Sequence, residues 1–259
     1  MTFQPRLVAL DIDGTTVTEL TNVSPAVVAA VGRVVAAGVP VVISTGRSWP
    51  ATEPVVAALG LPPGWAVTSN GSMVVTYPPV DVVYEVKFDP AETIARVHEV
   101  APQAIIAVQE GMDLRVTEVF PKGELVEVQN VETIAELSSR PVSRVVVRDP
   151  NSNTAAFHRL AEKLGLKDGT YCVGWTAWMD IVPAGIDKAH GLQRVADELG
   201  IAQADVLAIG DGQNDIEMLQ WAGRGVAMAD ALPETKAAAD AITGGIAEDG
   251  VAQELARWF

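Results

Sequence analysis

The chain has 259 residues, of which 49% are hydrophobic, and a formal net charge of −15 at neutral pH. That length fits one large domain or two ordinary ones, and that composition supplies a sizeable core and argues against disorder. An acidic chain with no basic tract is a poor partner for nucleic acid or an anionic membrane, and no apolar run approaches the ~18 residues of a membrane helix. Cys172 is the single cysteine, so no internal disulfide forms, and the opening MTFQPR leads directly into a strand without a signal-peptide core. Both features predict a cytoplasmic protein.

Leu7–Leu10 is a short apolar run that reads as a buried strand, and it ends in Asp11, Ile12, Asp13, Gly14 and Thr15. Ser24–Gly38 reads as a helix, with Ser24 as N-cap, Pro25 at the first helical position and Gly38 at the end. Val39–Ile43 is a second buried strand ending in Ser44, Thr45, Gly46 and Arg47. Ser48 caps a helix to Ala58 that Pro54 weakens, and Trp65–Thr68 is a third strand ending in Ser69, Asn70 and Gly71. Alternating strands and helices predict parallel pairing with right-handed crossovers.

From Thr76 the pattern changes. Met73–Thr76 and Val82–Phe88 read as antiparallel strands, and Asp89-Pro90-Ala91-Glu92 as a helix start. Strands are expected at Ala104–Gln109, Leu114–Thr117, Leu125–Val128, Ser143–Arg148, Tyr171–Trp175 and Met179–Val182, with helices near Val131–Leu137 and Thr154–Leu164. This mixture predicts an α+β domain over residues 80–184, inserted into a core made of residues 1–79 and 185–259. The first pattern then resumes. Asp187 caps a helix to Leu199, Val206–Ile209 is a strand ending in GDGQND, Ile216–Ala222 is helical, and Gly225–Met228 is a further strand. Pro233–Ala239 and Val251–Trp258 complete the chain as helices.

Four core strands therefore end in polar loops: DIDGT, STGR, SNG and GDGQND. In a doubly wound sheet such loops meet at one edge. That edge gathers Asp11, Asp13, Thr45, Arg47, Asn70, Asp211, Asn214 and Asp215, and Lys188 lies at the start of the helix after the insertion. Paired carboxylates repel unless a cation offsets them, and a hard divalent ion such as Mg2+ suits oxygen ligands. Four carboxylates with one hydroxyl and one lysine describe metal-assisted phosphoryl transfer. Other motifs fail on spacing. An EF-hand loop from Asp11 would need Gly where Thr16 stands and Glu where Asn22 stands, no lysine follows a glycine as a Walker A loop requires, and His98, His158 and His190 are scattered.

With these motifs in order, the chain resembles the haloacid dehalogenase superfamily of phosphatases, in its Cof-like subfamily IIB, over nearly its whole length. Met179–Lys188 resembles that subfamily's return from cap to core; Ala189 after Lys188, where relatives usually have Gly, and Thr16, where Leu is common, depart from it. The resemblance implies a doubly wound, mostly parallel, Rossmann-like core with an inserted α+β cap that selects the substrate. It also implies a Mg2+-dependent phosphatase acting on a small-molecule phosphomonoester, a sugar phosphate first and flavin or pyridoxal phosphates next. Asp11 would be the nucleophile, Asp13 the acid and base, and Thr45 and Lys188 partners of the phosphoryl group, with Gly46, Arg47, Asn70, Gly71 and Asn214 also binding phosphate. Asp11, Asp13 and Asp211 would hold the metal, with Asn214 or Asp215 beside it. Cap motion about Tyr77–Asp81 and Pro183–Gly185 is expected, as is a monomer or weak homodimer. Trp175, Trp178 and Tyr171 could stack on a substrate or fill the cap core. A phosphomutase and a non-catalytic phospho-ligand sensor are the rival readings.

Overall fold

A computed structural model describes residues 3–18, 21–122, 124–125, 128–165, 171–173 and 178–259. The chain divides into two compact units, Met1–Tyr84 with Asp187–Phe259, and Glu85–Ile186.

The first unit opens with β1 (Leu7–Leu10), α1 (Pro25–Ala36), β2 (Val41–Ser44), α2 (Trp49–Ala58), β3 (Gly64–Thr68), β4 (Met73–Tyr77) and β5 (Asp81–Glu85). Then come α3 (Ala91–Val100), β6 (Ile105–Glu110), β7 (Asp113–Val116), β8 (Gln129–Val131), α4 (Ile134–Leu137), β9 (Arg144–Arg148), α5 (Thr154–Leu164), β10 (Tyr171–Val173) and β11 (Trp178–Ile181). The first unit resumes with α6 (Lys188–Leu199), β12 (Val206–Gly210), α7 (Ile216–Trp221), β13 (Arg224–Ala227), α8 (Pro233–Ala238), β14 (Ala241–Ile242) and α9 (Gly250–Leu255).

The core sheet has eight strands in the order β14-β13-β12-β1-β2-β3-β4-β5. From β14 to β3 the pairs are parallel, and β3 and β4 are antiparallel. Helices must cover both faces of a parallel sheet, which is why Leu7, Val8, Ala9 and Leu10 are all apolar and 0% exposed. Local signals set the helices. The Ser24 hydroxyl accepts from the Val27 N–H, and Pro25 follows it in α1. In α6, Asp187 Oδ1 accepts from the His190 N–H and Gly200 ends the helix at φ 64°. Pro54 is accommodated inside α2. β1 lies between β12 and β2, one reached through the second half of the chain and the other through the first. The carboxyl ends of these strands therefore border the switch point of the sheet, where open α/β folds bind ligands.

The second unit has a six-stranded sheet, β10-β11-β9-β6-β7-β8, antiparallel except between β7 and β8. Side chains alternate across it. Ile106, Val108, Val145, Val147, Met179 and Ile181 pack with Ile94, Val97 and Phe157 from α3 and α5. Ile105, Ala107, Leu114, Val116 and Val146 lie on the other face with Phe120, Leu125 and Trp178.

Two expectations need correction. The strand expected at Leu125–Val128 is absent where described: the strand is Gln129–Val131, and Leu125 is a loop residue packed beside Phe120 and Trp178. Packing against that cluster, not strand pairing, accounts for the partly buried leucine. The helix expected from Val131 begins at Ile134, because Thr133 and Glu136 form a capping box that fixes its first turn. Of the three aromatic residues singled out in the insertion, Trp175 and the Tyr171 side chain lie outside the described residues, and Trp178 packs edge-on to Phe120 with ring centroids 5.5 Å apart.

Candidate active site

Asp11 is the first residue after β1, 5% exposed, its N–H donating to the Ile209 carbonyl of β12. The chain must then turn within a few residues. Gly14 makes this turn at φ +83°, and a Cβ there would lie 2.3 Å from Asp211 Oδ2, so only glycine fits. Two hydroxyls brace the turn: Thr15 Oγ1 donates to Asp211 Oδ1 at 2.7 Å, and Thr16 Oγ1 donates to the Asp11 carbonyl. Neither threonine is among the site residues expected from sequence. The only sequence signal is their place in and just after the DIDGT loop, since the Thr15 partner is 196 residues away.

Lys188, the first residue of α6, is fully buried. Its Nζ is 2.6 Å from Asp11 Oδ1 and 2.6 Å from Asp215 Oδ1. Asp215 Oδ2 accepts from the backbone N–H groups of Asp211 and Gly212 at 3.0 and 2.8 Å. Asp11, Asp211 and Asp215 thus form one buried group whose ligand oxygens lie within 4.8 Å of one another. Three carboxylates face one ammonium, and the electrostatics follow. Burial, reinforced by the Asp215 charge, pushes Asp11 well above the ordinary carboxylate value, with Lys188 pulling the other way. Burial and Asp215 likewise push Asp211 up to about 7, against the Thr15 hydrogen bond and Lys188. Burial alone would lower Lys188, but the charges of Asp11 and Asp215 outweigh it and raise it above the usual lysine value. An all-oxygen cluster with uncompensated negative charge fits a divalent cation.

The remaining expected residues form a rim. Arg47 clamps Asp13, with Nη2 2.5 Å from Oδ1 and Nε 2.9 Å from Oδ2, and its Nη1 reaches the Ala51 carbonyl. The Asp13 carboxylate is thus engaged by arginine and stands outside the buried group. Thr45, 1% exposed, accepts at Oγ1 from the Arg47 N–H. Asn70 Oδ1 accepts from Asn214 Nδ2 at 2.8 Å, and a Cβ on Gly46 would be 3.1 Å from that same oxygen. Gly71, at φ +90°, lies so close to the Asp187 carbonyl that a Cβ would be 1.8 Å away. All four strand-end loops and the start of α6 are therefore in mutual contact.

The family model for haloacid dehalogenase-like hydrolases matches residues 8–255. The chain belongs to the haloacid dehalogenase-like hydrolases. It is 27% identical to the HMP-PP phosphatase of Serratia proteamaculans, over 98% of this chain and 95% of that one. It is 30% identical to the phosphoglycolate phosphatase of Natronomonas pharaonis, over 96% of each. In fold it matches the haloacid dehalogenase subclass IIB sugar phosphatase BT4131 with a TM-score of 0.81 at 23% identity, covering 97% of this chain and 98% of that one. This haloacid dehalogenase-like hydrolase is a phosphoric monoester hydrolase. No helix among its described residues is long and apolar enough to cross a membrane.

Proposed function

We propose that the chain is a Mg2+-dependent phosphatase that hydrolyses a sugar phosphate or a similarly small phosphomonoester through an aspartyl-phosphate on Asp11. The observation that carries this reading is the buried Asp11 carboxylate, held at Oδ1 by Lys188 within a cluster rich in negative charge. Asp11, the Asp13 carbonyl, Asp211 and Asn214 are the groups that would hold Mg2+. The ion would neutralise charge on the phosphoryl oxygens so that a carboxylate can approach them. Asp215 has another task in this scheme. Its two oxygens are committed to Lys188 and to two backbone N–H groups, so it fixes the lysine and the loop.

Asp11 attacks phosphorus, and its bond to the phosphoryl group forms as the bond to the alcohol oxygen breaks. Asp13 gives that oxygen a proton as it leaves. It then takes a proton from the water that hydrolyses the aspartyl-phosphate. Lys188 and the Thr45 hydroxyl stabilise the charge on the transferring group. In this reading the inserted unit, Glu85–Ile186, is the element that sets specificity.

The test is a screen of phosphorylated metabolites for phosphate release with Mg2+ and with chelator. Asp11→Asn removes the attacking charge at constant shape, and turnover should fall by several decades while the protein stays folded. A variant within tenfold of wild type contradicts the assignment. Interconversion of isomers without phosphate release would instead mark a mutase.

A further inference from the structure

The Ser69-Asn70-Gly71 turn has φ values of 52°, 54° and 90°. Asparagine tolerates the left-handed region; serine enters it at a cost, and such strain persists only where the surroundings enforce it. Here they do. The Ser69 N–H donates to the Arg47 carbonyl and the Asn70 N–H to the Thr45 carbonyl, at 2.8 and 3.0 Å. Gly71 is wedged against the Asp187 carbonyl, and a Cβ on Gly191 would come within 3.2 Å of the Gly71 Cα. The turn is thereby fixed to the Thr45 loop on one side and to the start of α6 on the other.

Its one long side chain uses this fixed place to reach a third loop. Asn70, 5% exposed, accepts at Oδ1 from Asn214 Nδ2 at 2.8 Å. An asparagine amide offers an oxygen on one side and an NH2 on the other, and only the oxygen can serve a cation. With Nδ2 committed to Asn70, Asn214 Oδ1 is turned over Gly212, where an added Cβ would lie 2.4 Å from it. Gly212 is the residue after Asp211, and its N–H is bonded to Asp215. We propose that Asn70 is a positioning residue, whose acceptance from Asn214 Nδ2 turns the Asn214 oxygen, not its NH2, toward the Asp211–Gly212 side of the carboxylate cluster. This rests on the reading of Asn214 as a cation ligand given above. It assigns the strained turn a task beyond contact with phosphate.

The test separates backbone from side chain. Asn70→Gly keeps the left-handed conformation at no steric cost and deletes only the amide, so the fold is retained. Mg2+ affinity is measured by titration calorimetry, without substrate, on wild type, Asn70→Gly, Asn214→Ala and the double variant. Partners that orient a metal ligand are commonly worth 10- to 100-fold in affinity. Asn70→Gly should weaken Mg2+ binding about tenfold, Asn214→Ala by a similar factor, and the double variant no further than Asn214→Ala alone. Losses that multiply in the double variant overturn the proposal, because the two residues then act independently. A normal Asn70→Gly beside a weakened Asn214→Ala overturns it while leaving Asn214 a ligand. A normal Asn214→Ala overturns both this inference and the reading on which it rests.

Discussion

At Lys188 one ammonium serves two buried carboxylates, each 2.6 Å away. Deleting one partner of a buried ion pair typically costs about 3–5 kcal/mol, because a charge is left without compensation. Lys188→Met should therefore lower the melting temperature at neutral pH, and the loss should shrink in mild acid, where Asp11, whose carboxyl burial holds well above the ordinary value, takes up a proton. A loss independent of pH would mean that packing of the side chain, not its charge, was removed. The Arg47–Asp13 pair is a different case. It lies at the rim, with side-chain exposures of 18% and 51%, where ion pairs add little stability. In the proposed mechanism it orients Asp13. Arg47→Ala should leave the melting temperature near wild type and depress kcat on an alkyl phosphate more than on an activated aryl phosphate, which needs little proton donation. Equal losses on both would assign Arg47 to phosphate binding alone. The loops bearing these residues were legible in the sequence from polar groups at the ends of apolar runs. The pairs were not. Asp13 with Arg47, Asn70 with Asn214 and Thr15 with Asp211 depend on loops brought together by sheet order, at separations up to 196 residues.

The helix that carries Lys188 is set by its first turn. Asp187 Oδ1 accepts from the His190 N–H at 2.8 Å, and such a cap is worth about 1 kcal/mol. Asp187→Ala should lower stability by that amount. It should lower kcat by a larger factor, because Lys188 loses its fixed start, and Asp187→Ser should restore both. A normal kcat with lowered stability would show that the ion pairs alone hold the lysine. Core strands such as β1, β2 and β12 were legible because each opens as a short apolar run and closes in a polar turn, whereas the two-residue β14 offers no such run and was not expected. The insertion was harder to read. β8 is an edge strand, Gln129-Asn130-Val131, with neither an apolar run nor alternation to mark it, and Val131 is 60% exposed. The apolar Leu125 nearby is a partly buried loop residue, so apolar packing and strand pairing do not coincide there.

For the whole molecule, the carboxylate cluster ties folding to pH. Asp211 is pushed up from an ordinary 3.8 to about 7, so a proton that the unfolded chain releases near pH 4 stays on the folded protein until near pH 7. Its contribution is fully present below pH 4 and is lost as pH rises through 7, on the order of 4 kcal/mol at most. Asp11 acts in the same direction. In chelator, wild type and Asp211→Asn should melt alike near pH 4, and the variant should be the more stable above pH 7. Mg2+ should reverse that order at high pH, since it binds only the wild-type native state tightly. A difference that does not change with pH would contradict this account of the cluster.

β1 pairs with β12 through Leu7↔Val206 to Leu10↔Ile209, with the whole of the second unit encoded between them. During synthesis at ~5–20 residues per second, the central strand of the core waits roughly 10–40 s for that neighbour. In that interval β1, all apolar, has an open edge, while Glu85–Ile186 is already complete as a continuous stretch. The nascent chain thus displays a finished second unit beside an unfinished first one, and the exposed edge is the natural point of chaperone capture or aggregation. Asp211 and Asp215 arrive with that last neighbour, so the carboxylate cluster can close only after the central sheet has done so.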